Sequence, residues 1–331
     1  MIEQAVILAA GRGTRLGPLT NERPKSMLPI LGKPIVAHVL GDMAEAGVRR
    51  FVLVVGPDDG GMRAYFEQAA PPGLDIRFAV QERATGTVDA LTLAAPHLDG
   101  PFLLSAVDNV TSAEHVRGVI ARYAANPDVI VTLSLLPASP EQIRRSAGVV
   151  IEGDWITAIE EKPEHPPSPW AAIMLYAFSH DYLDYLAGVP VSQRGEREIV
   201  SGIQAALANG RRISYVTLQR RLHLTRERDL LAINLALLSE NGAAQAHSDL
   251  PASVQLIAPV RIDPNVRVGD GARIGPHVYL EQGASIGASA TVTNSLVLAG
   301  GAVQPGERCE ETIVDRNVRV PVPLPDHQQM Q

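Results

Sequence analysis

Cysteine is nearly missing from this chain: Cys309 stands alone among 331 residues. No disulfide can form within the molecule, which fits a reducing, cytoplasmic compartment, and Cys309 itself reads as a small buried hydrophobe. An excess of positive charge is missing too. Lys and Arg number 29 against 36 Asp and Glu, a formal net charge of -7. The chain therefore lacks the broad attraction that nucleic acid or an anionic membrane exerts, and any phosphate must be held locally. The first apolar run, AVILAA (5–10), breaks off at Gly11. With no basic flank and no cleavage site before it, the N-terminus reads as neither a signal peptide nor a membrane span. No HxxxH, HxxE or CxxC spacing occurs, so zinc chemistry has no support.

What is present is material for a packed interior. Hydrophobic residues make up 46% and charged residues 20%, and the length favours two domains over one core. AVILAA (5–10), FVLVVG (51–56), IRFAVQ (76–81), FLLSAVDN (102–109) and VIVTLSLLP (129–137) lack polar alternation and read as strands covered on both faces. Helical patterns lie between them at 34–46, 87–98 and 112–126. The first sets Ile35, Val36, Val39, Leu40 and Met43 on one face with Gly47 as its stop, and the last opens with Thr111 and Glu114 at capping-box spacing. Such alternation implies an α/β sheet with parallel pairing. Beyond residue 145, GVVIEGDWITAIEEKP reads as a hairpin turning near Gly153 and Asp154. A strand through AAIMLYAF follows, with helices near 181–187, 196–209 and 226–241. Residues 243–253 read as a linker.

The C-terminal stretch has a period of its own. Leu256, Ile262, Val268, Ile274, Leu280, Ile286, Val292 and Leu298 fall at every sixth position. Four residues after each, small or aliphatic side chains recur, from Val260 to Leu296 and Ala302. Neither a strand nor a helix has that period, but short strands joined by turns, each facing one aliphatic residue inward, do. This is the hexapeptide pattern of a left-handed parallel β-helix, expected to make three to four coils. The phase fails at Gln304 and resumes near Val314 and Val320. The expected organisation is a domain over 1–242, the linker, a β-helix over 254–320 and a tail over 321–331.

The most informative stretch is LAAGRGTRLGPLTNERPKSMLP (8–29). Gly11 and Gly13 follow the first strand, where ligands collect in open α/β sheets and bare backbone amides can approach phosphate oxygens. It is not a dinucleotide fingerprint, because Leu16 stands where a glycine is needed, and not a P-loop, because GKS or GKT is missing. Arg15 and Lys25 would then be mobile cations for the outer phosphates, the arginine as a bidentate fork and the lysine as a compact charge.

LAAGRGTRL followed by RPK resembles the signature of the sugar-1-phosphate nucleotidylyltransferases. QERATGTVDAL (81–91), VDN (107–109), GVV (148–150), EEKP (160–163), RGEREI (194–199) and the hexapeptide tail follow in that family's order. The resemblance covers nearly the whole chain and implies a Rossmann-like nucleotidyltransferase domain with a mixed, mostly parallel sheet, carrying a C-terminal left-handed β-helix. It implies attack by a sugar 1-phosphate oxygen on the α-phosphorus of a nucleoside triphosphate, with loss of pyrophosphate. On this resemblance Arg15 and Lys25 are catalytic, while Ala10, Gly11, Gly13, Gln81 and Gly86 frame the nucleotide. Gly148, Glu161 and Lys162 hold the sugar phosphate, and Asp108 holds Mg2+ (magnesium). The implied partners are a nucleoside triphosphate and a sugar or cyclitol 1-phosphate, with no nucleic acid and no membrane, and the prism edge of the β-helix suits a homo-oligomer.

Several positions depart from the family. His223 stands where a second metal-holding aspartate is usual, and imidazole suits Mg2+ poorly. Asp229, the nearest carboxylate, reads as part of a helix's first turn. Val107 replaces a glycine, and Pro169 and Met174 stand near the sugar in place of asparagine and glycine. These departures leave open a second reading, a relative that binds nucleotide sugars without turning them over and regulates or scaffolds a partner. A third reading, acyl transfer by the β-helix through His277, has an exposed turn residue as its simpler explanation.

Overall fold

One mixed sheet of nine strands organises the first two-thirds of the chain. Its strands are β1 (Gln4–Leu8), β2 (Arg50–Val55), β3 (Asp75–Val80), β4 (Phe102–Ala106), β5 (Val129–Pro137), β6 (Ala147–Glu152), β7 (Trp155–Glu161), β8 (Trp170–Phe178) and β9 (Arg212–Thr217). The computed structural model describes residues 2–11, 13–219 and 221–323. These fall into two compact units. The first holds the chain up to the first glycine turn together with Val36–Leu222, and the second holds Gly13–Ile35 and the chain from His223 onward.

In the first unit the order β3-β2-β1-β4 is parallel throughout. β8 then pairs antiparallel with β4, β5 and β6, β7 closes a hairpin on β6, and β9 runs parallel to β5. Strand β1 is central, and Ala5, Val6 and Ile7 are fully buried, as expected of a strand covered on both faces. β3 departs from that expectation: it is an edge strand, its first four side chains alternate between exposed and half-buried positions, and Ala79 alone in it is buried.

The α-helices of eight residues or more are α1 (Ile35–Glu45), α2 (Met62–Ala69), α3 (Thr87–Ala94), α4 (Ala113–Ala124), α5 (Ile199–Ala208) and α6 (Glu227–Asn241). The apolar face expected of α1 is buried at all five positions. α4 is capped by Ser112, whose hydroxyl accepts from the His115 amide, and not by Thr111. Ser112 holds the extended backbone of a cap, and its oxygen reaches the third residue on.

In the second unit, short parallel strands form three sheets, as a parallel β-helix requires. One carries 255–256, 273–274, 291–293 and 308–310, and another 267–268, 285–286 and 302–303. The third carries 244–246, 260–262, 278–280, 295–297 and 312–315, and Val318–Pro321 closes it antiparallel. Ala244–Ala246, inside the stretch expected as a linker, is thus already paired with Val260–Ile262. The last residues of the expected tail, from 324, lie outside the described residues.

The loss of phase at Gln304 has a local cause. Val260 sits opposite Val278, eighteen residues on, whereas Val278 sits opposite Ser295, seventeen on. The corner Gly275-Pro276-His277 is replaced in the next coil by Thr293-Asn294, one residue shorter. Every later inward position moves up by one, so Val303 and Cys309 enter the core. Leu296 is consequently not an inward residue: Val297 beside it is in the core, so Leu296 faces out. It is nevertheless fully buried, as are Tyr279 and Ile313 in the same row. α6 covers this outer face and also packs on the segment Thr14–Thr20. Those contacts, made by residues of the opening loop and of α6, are why the compact units cut the chain elsewhere than at 242.

Candidate active site

Four of the sequence-selected positions leave the same edge of the parallel sheet. Leu8 lies opposite both Val54 and Ala106, and Val54 opposite Ala79. The ladder runs a little further through Ala9 N–H to Val54 O (2.7 Å), Val107 N–H to Leu8 O (3.1 Å) and Gln81 N–H to Val55 O (2.8 Å). Ala10 and Gly11 therefore follow β1, Gln81 follows β3, and Asp108 follows β4, all at the carboxyl edge. The chain order turns between β1 and β4, which is where open sheets bind ligands. Among the described residues, nothing beyond its chain neighbours lies within 4 Å of a β-carbon placed on Gly11, so that side of its backbone is open.

Gln81 is 8% exposed and donates Nε2–H to the carbonyl of Gly86 (3.0 Å). An amide side chain so held still carries a carbonyl oxygen able to accept. Gly86 caps α3 at φ 124, ψ 174. A β-carbon there would stand 2.3 Å from the carbonyl oxygen and 2.6 Å from the amide nitrogen of Arg197. The reason for glycine is thus close approach by the RGEREI backbone. The same segment is clamped by Arg197 N–H to Thr85 O (3.0 Å), Val88 N–H to Arg197 O (3.0 Å) and the Arg197–Asp89 ion pair (2.7 Å).

Glu161 ends β7 and Lys162 follows it in a left-handed conformation, φ 48. The Lys162 ammonium lies 3.3 Å from Glu161 and 3.7 Å from Glu198. Burial pushes the Glu161 carboxyl up, and the Lys162 ammonium opposes that shift. Glu198, 7% exposed, is held in turn by Arg194 through both carboxylate oxygens (3.1 and 2.6 Å). Neither Glu198 nor Arg194 was selected from the sequence; they pair across the turn that precedes α5, where helical spacing gives no signal. Gly148 belongs to the same corner: a β-carbon on it would meet Pro167, Ile143 and Pro163 at 2.9, 3.0 and 3.2 Å. Packing beneath the EEKP turn accounts for this glycine.

Asp108 is half-buried, and the next residue, Asn109, accepts a hydrogen bond from Arg221 (3.0 Å). Burial pushes the Arg221 guanidinium down, and the nearby Asp108 carboxylate opposes that shift. Sequence reasoning passed over Arg221 within RRLHLT. Val107 is buried, 6% exposed, and serves the core. Met174 packs partly on the same core and lends its carbonyl to Asn109 (3.5 Å), while Pro169 accepts from the Ala138 amide. No group of three His, Cys, Asp or Glu side chains able to hold a metal occurs among the described residues. One carboxylate still fits Mg2+ when substrate phosphates complete the shell, because that ion keeps waters and needs few protein oxygens.

The remaining positions belong to the second unit. Gly13 adopts φ 68, ψ 29 and starts the 3-10 segment Thr14–Thr20 on which Arg15 stands exposed. Lys25 opens a second 3-10 turn, with Met27 N–H bonded to Pro24 O (2.9 Å) and Leu28 N–H to Lys25 O (3.1 Å). His223 is half-buried with Nδ1 3.2 Å from the Thr225 hydroxyl. Asp229 accepts from the amides of Thr225 (2.8 Å) and Arg226 (2.7 Å). It caps α6 and does not replace the missing aspartate.

The family model described as "Nucleotidyl transferase" matches residues 4–222, and that described as "GMPPB C-terminal domain" matches 256–322. A UTP–glucose-1-phosphate uridylyltransferase of Haloferax volcanii is 33% identical over 215 residues, 64% of this chain and 87% of its own. A glucose-1-phosphate thymidylyltransferase of Streptomyces griseus is 27% identical over 337 residues, 96% of this chain and 93% of its own. Among solved structures, UDP-glucose pyrophosphorylase complexed with UDP-glucose superposes with a TM-score of 0.66 over 72% of this chain and all of that one. At 20% identity this likeness concerns the fold.

Proposed function

The chain belongs to the nucleotidyl transferase family, and from that premise we propose that it transfers a nucleoside monophosphate from a triphosphate to a sugar 1-phosphate or a related cyclitol phosphate. The observation that carries this reading is the shared carboxyl edge: open backbone after β1, a buried amide after β3 and a carboxylate after β4. A base, a phosphate chain and a cation each need one of those groups.

In the proposed reaction an oxygen of the sugar phosphate attacks the α-phosphorus, a new P–O bond forms, and the bond to the β-phosphate oxygen breaks to release pyrophosphate. The protein supplies position and charge more than covalent chemistry. The backbone around Ala10 and Gly11, with Gln81 and Gly86, would frame the base, and Gly11 and Gly13 would lay amides along the phosphates. Arg15 and Lys25 would neutralise the leaving phosphates. Glu161 would accept from sugar hydroxyls, Gly148 would shape the corner below, and the Lys162 ammonium, steadied by Glu198, would hold the nucleophile's phosphate. Asp108 would hold Mg2+, which when bound screens repulsion among phosphate oxygens.

A second reading, a nucleotide-sugar-binding relative without turnover, is favoured by one observation: the Arg221 cation, bonded to Asn109, stands beside the Asp108 carboxylate. Cytoplasmic residence rests on the single cysteine and the triphosphate substrate, and homo-oligomerisation on the β-helix edge. Pyrophosphate release, followed across a panel of triphosphates and sugar 1-phosphates with Mg2+, tests the choice. Release with any pair supports the enzyme, whereas nucleotide-sugar binding without release supports the second reading.

A further inference from the structure

The segment Gly13–Ile35 has little regular structure of its own: two 3-10 segments and a pair of two-residue strands. Its shape must be imposed by what it touches. We propose that Tyr279 and Glu281, on one coil of the β-helix, are positioning residues for the loop that carries Arg15 and Lys25. The inference rests on the proposed function only for the role of those two cations.

Three polar anchors bracket Lys25. Two residues before it, Arg23 grips both oxygens of Glu281 (2.8 and 3.2 Å), with both side chains mostly buried. Glu281 is itself fixed, accepting from the Ala299 amide at 2.7 Å. Beyond Lys25, the Leu31 amide donates to Asn234 Oδ1 on α6 (2.9 Å), and the Gly32 amide donates to the Tyr279 hydroxyl (3.0 Å). That hydroxyl donates onward to Asp263 Oδ2 (2.7 Å), whose other oxygen accepts from Arg261 Nε (2.8 Å). Tyr279 is fully buried and Asp263 is 4% exposed. Burial pushes the Tyr279 hydroxyl far up, so it keeps its proton and can accept from Gly32 while donating to Asp263.

The coil's alternation makes this possible. Val278 and Leu280 face the prism core, which turns Tyr279 and Glu281 outward onto the loop. Buried ionic and amide anchors are a costly way to fill space, since apolar side chains of equal volume would do it as well or better. What they add is a fixed backbone path. The β-helix is therefore part of the phosphate-holding apparatus and not a detachable tail.

The test uses the full chain carrying Tyr279→Phe, Glu281→Gln, or both, with hydrogen–deuterium exchange and steady-state kinetics as readouts. The inference expects amides in 13–32 to exchange at least about tenfold faster in the double variant. It also expects kcat to fall about 10- to 100-fold, as displaced catalytic groups do, with KM for the sugar phosphate changed less than about twofold. Swapping the pair, Arg23→Glu with Glu281→Arg, should recover part of the loss that either change alone causes. A folded double variant with unchanged loop exchange and unchanged kcat would overturn the inference. Should the double variant not fold, Tyr279→Phe, which removes one oxygen, decides by the same two readouts. If the unaltered protein releases no pyrophosphate, the functional reading fails, and loop exchange alone decides the positioning role.

Discussion

A β-carbon built on Gly13 would lie 2.7 Å from the β-carbon of Lys25. The first glycine turn and the loop lysine are thus packed against each other, twelve residues apart in the chain. Gly13 also sits at φ 68, ψ 29, where an L-residue costs about 1–2 kcal/mol. Gly13→Ala should therefore destabilise the protein by that order and, by displacing Lys25, lower kcat at least about tenfold. Urea unfolding together with a pyrophosphate-release assay checks both effects.

Gly86 is confined more severely. The groups that a new methyl would strike are the backbone oxygen and nitrogen of Arg197, at 2.3 and 2.6 Å, and backbone cannot swing aside. Gly86→Ala should cost more than about 2 kcal/mol, in the range of overpacked sites. It should also raise KM for the triphosphate, because Gln81 is bonded to the Gly86 carbonyl. A denaturant midpoint that stays put would refute the close approach.

The Lys162 ammonium is shared between Glu161 and Glu198, and Glu198 is locked by Arg194. Glu198→Gln keeps the volume and removes the charge that centres the lysine. The expected result is a rise of about tenfold in KM for the sugar phosphate, about 1.4 kcal/mol, with KM for the triphosphate nearly unchanged. Equal effects on both substrates would place the corner elsewhere than at the sugar phosphate.

Asp42, on α1, is pushed up to about 6 by burial, with Glu45 adding to the rise. A carboxyl whose pKa is higher folded than unfolded binds its proton more tightly in the native state, so its contribution is full below about pH 4 and is lost as pH rises through about 6. Asp42→Asn should raise stability at pH 7 by about 1–2 kcal/mol, discounted for the side chain's partial exposure, with no gain at pH 4. Thermal melts at the two pH values check the sign.

Much of this was legible in sequence because it repeats or alternates. The five strands of the first half emerge from unbroken apolar runs, and the β-helix from its period of six. What could not be read depends on partners distant in the chain. The resemblance assigns Gly86 to the nucleotide and Gly148 to the sugar phosphate, yet their close neighbours, the Arg197 backbone and Pro163 with Pro167, become visible only once the chain is folded. Helix α2 went unnoticed because only Met62 and Phe66 are buried, too few for a stripe. The β-helix phase slips because one corner is a residue shorter, and no aliphatic pattern announces a corner. Tyr279 and Leu296 sit in outward register yet are fully buried, on a face against which α6 packs, and the inward period cannot foretell that.

The most direct measurement is the rate of pyrophosphate release by the purified chain beside Lys25→Ala and Asp108→Ala, with matched triphosphate, sugar 1-phosphate and Mg2+. Catalysis at the carboxyl edge predicts that each substitution slows release by at least about a hundredfold, the scale of lost charge stabilisation at a phosphoryl group. Near-normal rates in both variants would contradict it.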